Sequence, residues 1–269
     1  MQPYRIALGV EYDGSDFAGW QLQHHAVTVQ GCLEAAVSQV AAQPVRLHCA
    51  GRTDAGVHAL GQVAHFETTA ERPPRAWLLG INSHLPPTVS VTWVKPVAAE
   101  FHARFSAIAR HYRYLIVTRP TRSALMHQRA VWTHHRLDVT AMAQAAQALV
   151  GQHDFSSFRA MQCQAKSPVR TVHALTIQQR GDFITLDISA DGFLHHQVRN
   201  IAGVLMAIGR HERAVEWTAQ LLTLRDRRQG GVTAPPHGLY LMRVDYPTQF
   251  QINIENEQCT LNNYSVFTG

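Results

Sequence analysis

Two hydrophobic periodicities alternate along the chain, and their order restricts the fold more than any other feature. Over residues 4–12, Ile6, Leu8, Val10 and Tyr12 recur with period two, the signature of one strand face turned to a core. Over 28–40, Val29, Leu33, Val37 and Val40 recur at three- to four-residue spacing, which predicts a helix with Thr28 as its N-cap. Strands over 45–50 and 62–68, a short helix opened by Pro73 and Pro74 and running through Leu79, and a strand over 88–97 follow. The order is β-α-β-β-α-β. It then repeats: a strand over 110–118, a helix over 138–150 capped by Asp138 and ended by Gly151, and a strand pair over 169–179 and 183–190. An apolar helix over 193–208, a further helix over 212–222 and a closing strand over 238–246 complete the repeat. Two such runs predict an α+β protein of two ferredoxin-like halves, pseudo-twofold and largely antiparallel, with a central cleft where they meet. The halves take residues 1–105 and 106–246. The tail 247–269 shows no periodicity and reads as an added strand or a disordered end.

Charge narrows the partners. The net charge is +5, and 22 of the 24 basic residues are arginine, whose planar fork suits phosphates and stacks on bases. The last 23 residues hold two glutamates and no basic residue, so the rest is more basic still and favours a polyanion partner. No apolar run reaches the roughly 18 residues that span a membrane, and the start lacks a signal-peptide profile, so the expected location is the cytoplasm. The four cysteines, Cys32, Cys49, Cys163 and Cys259, have no metal-ligand spacing and read as thiols, the first two buried. The 17 histidines include the adjacent pairs His24-His25, His134-His135 and His195-His196, but neighbours in sequence point to different sides and seldom share a metal. Neither His-Glu-x-x-His nor Cys-x-x-Cys occurs. No metal, nucleotide or other cofactor is expected.

The stretch 49–66 holds the densest chemistry. Three glycines and one carboxylate, Asp54, lie between two strand-like runs, with Arg52 two residues before the acid and His58 four after it. A lone acid among basic groups at a strand-to-loop corner suits an ionised nucleophile. Equally, Asp54 could cap a short helix from Ala55, with Arg52 its ion-pair partner. Arg199 lies within an otherwise apolar helix, where a charge calls for a buried acid. Tyr112 sits on a strand beside Arg110 and Arg113, either as a core tyrosine or as a platform for a base taken out of a duplex. The irregular connector 225–238 lines the cleft or forms a solvated loop.

Gly51-Arg52-Thr53-Asp54-Ala55-Gly56-Val57-His58 resembles the signature of the pseudouridine synthases, in the branch that modifies the anticodon arm of tRNA. Glu11-Tyr12-Asp13-Gly14 with Gly19-Trp20-Gln21, Phe101-His102-Ala103-Arg104-Phe105, Tyr112-Arg113-Tyr114, Asp154-Phe155-Ser156-Ser157-Phe158-Arg159 and His195-His196-Gln197-Val198-Arg199-Asn200 match in the same order. The likeness runs from Tyr4 to Tyr246. It implies an isomerase acting on uridines 38, 39 and 40 without metal or cofactor. In that reading Asp54 is the nucleophile, Arg199 its ion-pair partner, Tyr112 the base-stacking residue and Arg52 the group that helps flip the base. Residues 101–105 and Gln162, Cys163, Gln164, Ala165 and Lys166 would contact tRNA, with Arg72 and Arg104 on phosphates. The resemblance also implies a homodimer. The apolar run 201–208 is compatible with a dimer face or with plain core. Departures lie at Phe17-Ala18, where bulkier aromatics are expected, and in the tail. Two other function classes remain: a tRNA-binding or RNA-folding protein without chemistry, and a metal-dependent hydrolase built on the histidines.

Overall fold

The computed structural model describes residues 4–252. Its strands are β1 (Tyr4–Tyr12), β2 (His48–Cys49), β3 (His58–Thr68), β4 (Val89–Val97), β5 (Ala109–Thr118), β6 (Val131–Thr133), β7 (Gly151–Asp154), β8 (Val169–Arg180), β9 (Phe183–Ala190) and β10 (Leu239–Asp245). Its helices are α1 (Val29–Ala41), α2 (Pro74–Ser83), α3 (Val139–Gln147), α4 (Gln197–Gly209) and α5 (Trp217–Leu224). The chain divides into two compact units, Met1–Ile108 with Tyr240–Gly269, and Ala109–Leu239. The closing strand, read from sequence as part of the C-terminal half, goes with the first unit from Tyr240 onward.

In the first unit β1 pairs antiparallel with both β3 and β4, and β2 lies antiparallel on β3. This is the expected β-α-β-β-α-β order. β10 joins β3 in parallel at Tyr240 and Leu241. β1 is buried on both faces rather than one: Ala7 and Gly9 form the second face, and the Trp93 ring lies against Gly9 where any side chain would stand. The expected strand over 45–50 shrinks to two residues. The amides of Val45 and Leu47 donate to Ser38 Oγ (3.0 Å) and Glu34 Oε1 (2.9 Å) of α1 instead of to a neighbouring strand. Thr28 caps α1 as expected, accepting from the Gly31 amide at 3.2 Å. Phe17 and Trp20, in the loop between β1 and α1, are buried. Cys32 and Cys49 are each partly exposed as residues, although the thiol group of Cys49 is itself shielded from solvent.

In the second unit β5 pairs with β9, β9 with β8 and β8 with β7, all antiparallel, while β6 runs parallel to the end of β5. β6 and β7 are additions to the predicted order, each too short to show a period. Asp138 caps α3, accepting from the Ala141 amide at 2.9 Å, but the helix stops at Gln147 and Gly151 opens β7. α4 begins at Gln197, four residues later than its apolar pattern suggests. His196 is left-handed (φ 62°) and the Gln197 side chain turns back to accept from the Leu194 amide at 2.8 Å, so Leu194–Gln197 form a turn, closed by the Gln197 amide donating to the Leu194 carbonyl at 3.0 Å. Ile201, Ala202, Val204, Leu205 and Ile208 are buried within the single chain, so this run is core. The buried Ile, Val and Leu side chains each contribute about 1.5–3 kcal/mol.

The connector 225–238 is anchored, not merely solvated. Asn200 of α4, fully buried, donates to the Phe158 carbonyl (2.7 Å) and accepts from Arg227 (3.0 Å) and Thr233 (2.6 Å). The tail is ordered at its start: Gln251 accepts from Lys95 Nζ at 3.0 Å, Phe250 packs edge-on to Phe101, and Ile252 is buried. The rest of the tail, with Cys259, lies outside the described residues. No helix among the described residues is long and apolar enough to cross a membrane.

Candidate active site

Asp54 sits on the loop 50–57 between β2 and β3, half-buried. No helix starts at Ala55. Asp54 opens a tight turn closed by the Val57 amide donating to the Asp54 carbonyl at 3.2 Å, with Gly56 at φ 76° in its third position. That conformation favours glycine. The N-cap alternative for Asp54 therefore falls.

Two neighbours grip this loop. From the β3 side, Gln62 Nε2 donates to the Gly51 carbonyl at 2.6 Å while Gln62 Oε1 accepts from the Gly51 amide at 3.4 Å. From the other, the segment 13–20 docks through its backbone: the Trp20 amide donates to the Thr53 carbonyl (3.0 Å) and the Gly56 amide to the Phe17 carbonyl (3.3 Å). Tyr12 and Thr53 hydroxyls share a buried hydrogen bond of 2.8 Å. A Cβ on Gly14 would lie 2.0 Å from the Val57 carbonyl oxygen, so only glycine fits there. The paired motifs at 11–14 and 19–21 are thus the scaffold of the Asp54 loop. His58, at the loop's far end, accepts from the Gly14 amide at 3.0 Å and stacks on Tyr240 with ring centres 4.6 Å apart.

Arg52 is exposed, next to the acid in sequence. The thiol of Cys49, just before the loop, is pushed up to about 12 by burial, which outweighs the opposing pull of Arg52 and Arg104. It is no nucleophile at neutral pH. Arg72 is exposed, but its Nε donates to the Val40 carbonyl at 2.7 Å, closing the C-terminal end of α1. In the segment 101–105, Phe101 and Ala103 are buried whereas Arg104 and Phe105 face solvent.

In the second unit, Tyr112 lies on β5 opposite Ile188, 8% exposed, with Phe193 edge-on at 5.2 Å. Its flanking arginines are engaged: Arg113 makes a two-pronged pair with Asp187 (2.7 and 3.1 Å), and Arg110 donates to the Asp191 carbonyl at 2.8 Å. Arg199 projects from the first turn of α4. Its Nε donates to the Ala234 carbonyl at 2.9 Å, and its own carbonyl accepts from the Ala234 amide at 3.1 Å. The arginine is thereby fixed by the connector 225–238. Burial raises the phenol of Tyr114, which donates to the Pro235 carbonyl at 2.8 Å, and the charge of Arg199 opposes that rise. Gln162, Gln164 and Lys166 are exposed, and Cys163 and Ala165 half-buried, on the turn between Phe158 and β8.

A family model described as tRNA pseudouridine synthase matches residues 9–106 and 145–247. The chain belongs to that family. It is 57% identical over 249 residues to tRNA pseudouridine synthase A of Pseudomonas aeruginosa, covering 92% of this chain and 87% of the relative. The enzyme of the same name from Methylococcus capsulatus is 57% identical over 246 residues (91% of each chain). That of Pseudoalteromonas atlantica is 55% identical over 248 residues (92% of this chain, 94% of the relative). The matched spans of the family model include Asp54, Arg52, Arg72, residues 101–105, 162–166 and Arg199, while Tyr112 falls between them.

Sequence reasoning missed the residues that hold the site rather than fill it. Gln62 and Asn200 carry no local signal beyond being polar residues in apolar runs. A polar amide set among apolar residues is the one clue, because once buried it needs hydrogen-bond partners. His65 is the third: its Nδ1 accepts from the Ala103 amide, 38 residues away, at 3.1 Å.

Proposed function

We propose that the protein isomerises uridine to pseudouridine in tRNA, at positions 38, 39 and 40 of the anticodon stem-loop. The observation that carries this is the family membership, with a relative matched over 92% of the chain, and the Gly51–His58 signature folded into a loop that Gln62 and the segment 13–20 clasp from two sides. The reaction breaks the bond from N1 to C1′, turns the uracil and joins C5 to C1′; the proton on C5 is lost and one is gained at N1. Atoms balance with no co-reactant, and the reading requires no metal or cofactor.

Asp54 begins the reaction in this reading, by attack on C6, by attack on C1′ or by removing the 2′ proton. Arg199 is the ion-pair partner of Asp54 in this reading, and its half-buried guanidinium is fixed by the backbone of Ala234. Tyr112 stacks on the extruded base, and Arg52 fills the space the base leaves. Exposed Arg72 and Arg104, with residues 101–105 and 162–166, engage the tRNA backbone. The active form is a homodimer in the cytoplasm. Sedimentation at twice the 30.0 kDa chain mass tests the first.

The deciding experiment maps pseudouridine in a tRNA anticodon arm after incubation in EDTA with wild type and with Asp54→Ala. Product from the wild type alone supports both the isomerase and its nucleophile. Product from neither, with tRNA bound tightly, leaves a binding protein as the better account.

A further inference from the structure

The segment 101–105 presents an unusual surface. Phe105 is 75% exposed, its ring tilted by 34° against His102 with centres 4.3 Å apart, and the Arg104 guanidinium stands 5.6 Å from the centre of the same ring. An exposed aromatic ring beside an imidazole and a guanidinium is a platform for an unpaired nucleobase and its phosphate. Five residues of irregular chain would not hold such a platform unaided. The backbone is instead pinned from below. The Ala103 amide donates to Nδ1 of His65, in the middle of β3, at 3.1 Å, and the Ala103 carbonyl accepts from the Tyr246 hydroxyl at 2.7 Å. The next two amides, of Arg104 and Phe105, donate to Nδ1 of His102 at 3.1 and 3.3 Å. Phe101 packs against Tyr246, Phe250 and His65 underneath.

The geometry points to His65 as the positioning residue of the Arg104–Phe105 platform, which rests on the tRNA-contact reading given above. Nδ1 can accept from Ala103 only while the ring is neutral and carries its proton on Nε2. The surroundings enforce that state. His65 is 2% exposed, and His48 of β2, His102 of the pinned segment and Arg5 of β1 all oppose a positive charge on it. Arg5 is itself paired with Glu67, and Arg104 acts in the same sense on His102. A buried acceptor on a rigid strand thus sets the height and direction of two exposed side chains that it never touches.

The test replaces the acceptor and keeps the shape. His65→Asn places an oxygen where Nδ1 stood; His65→Leu places none. Arg104→Ala and Phe105→Ala remove the platform itself, and Tyr246→Phe removes the second tether without altering the packing. Each is read by kcat, KM and filter-binding Kd for unmodified tRNA. The expected result is a rise in KM and Kd of about tenfold for His65→Leu, Arg104→Ala and Phe105→Ala. kcat should stay within about twofold, and His65→Asn should recover most of the loss. Tyr246→Phe should shift Kd in the same direction and covers the case in which His65→Leu does not fold. If Arg104→Ala and Phe105→Ala leave Kd unchanged, the platform is not an RNA contact and the inference is overturned at its base. If they weaken binding while His65→Leu, or Tyr246→Phe in its place, does not, His65 is only a core residue. Should the wild type bind tRNA without converting it, the isomerase reading fails while the Kd series still decides this one.

Discussion

The same buried imidazole predicts how the protein meets acid. In the folded chain burial, together with His102, Arg5 and His48, lowers His65 from 6.5 to about 3. In the unfolded chain it titrates at its ordinary value. The depressed pKa means the unfolded state binds the extra proton first, so stability falls as pH drops from about 7 toward 3. The full difference, at about 1.4 kcal/mol per pKa unit, is about 5 kcal/mol. Between pH 7 and pH 5 the unfolded chain becomes almost fully protonated at this site while the folded chain does not, which gives a loss of about 2 kcal/mol. That window lies above the range in which carboxylates titrate, so it isolates histidine. The assay is urea unfolding at pH 7 and pH 5, followed by fluorescence of Trp20, Trp77 and Trp93, all buried in the first unit. Wild type should lose about 2 kcal/mol more across the window than His65→Asn, whose side chain cannot titrate. His102, also lowered, adds a slope common to both. Equal pH slopes for wild type and variant would refute the claim that this ring is held neutral in the fold.

Three further outcomes follow from the packing. Gly14→Ala forces its Cβ to within 2.0 Å of the Val57 carbonyl oxygen, so the Asp54 turn must shift; pseudouridine formation should fall by about a hundredfold, the scale of a 1 Å misplacement, with tRNA binding retained. Asn200→Ala strips three hydrogen bonds from a fully buried site and should cost about 2–4 kcal/mol in urea unfolding, because Phe158, Arg227 and Thr233 lose their common partner. Cys49, raised to about 12, should resist iodoacetamide at pH 8 in the native protein and react in urea, as read by peptide mass spectrometry.

What local chemistry dictates, the sequence determined by itself. Caps act over three residues, so Thr28 and Asp138 were legible, and each accepts the amide it was expected to accept. Period-two and period-3.6 runs named nearly every strand and helix, because each reports on one face of one element. The Asp54 loop stood out since three glycines and an acid between two strands have few other uses, and the ordered motifs around it pointed to the family. Tertiary structure decided what depends on partners distant in sequence. Residues 45–47 look like strand, yet bond to α1 because Ser38 and Glu34 reach them first. The pattern of α4 extends back to Phe193, yet the helix starts at Gln197 because its side chain captures the Leu194 amide. Nothing in the neighbourhood of His65 announces that it holds Ala103, 38 residues away, or that Gln62 clasps Gly51. Periodicity records which face of an element is buried; it carries no information about which distant amide a buried side chain meets, because only the register of packed elements fixes that.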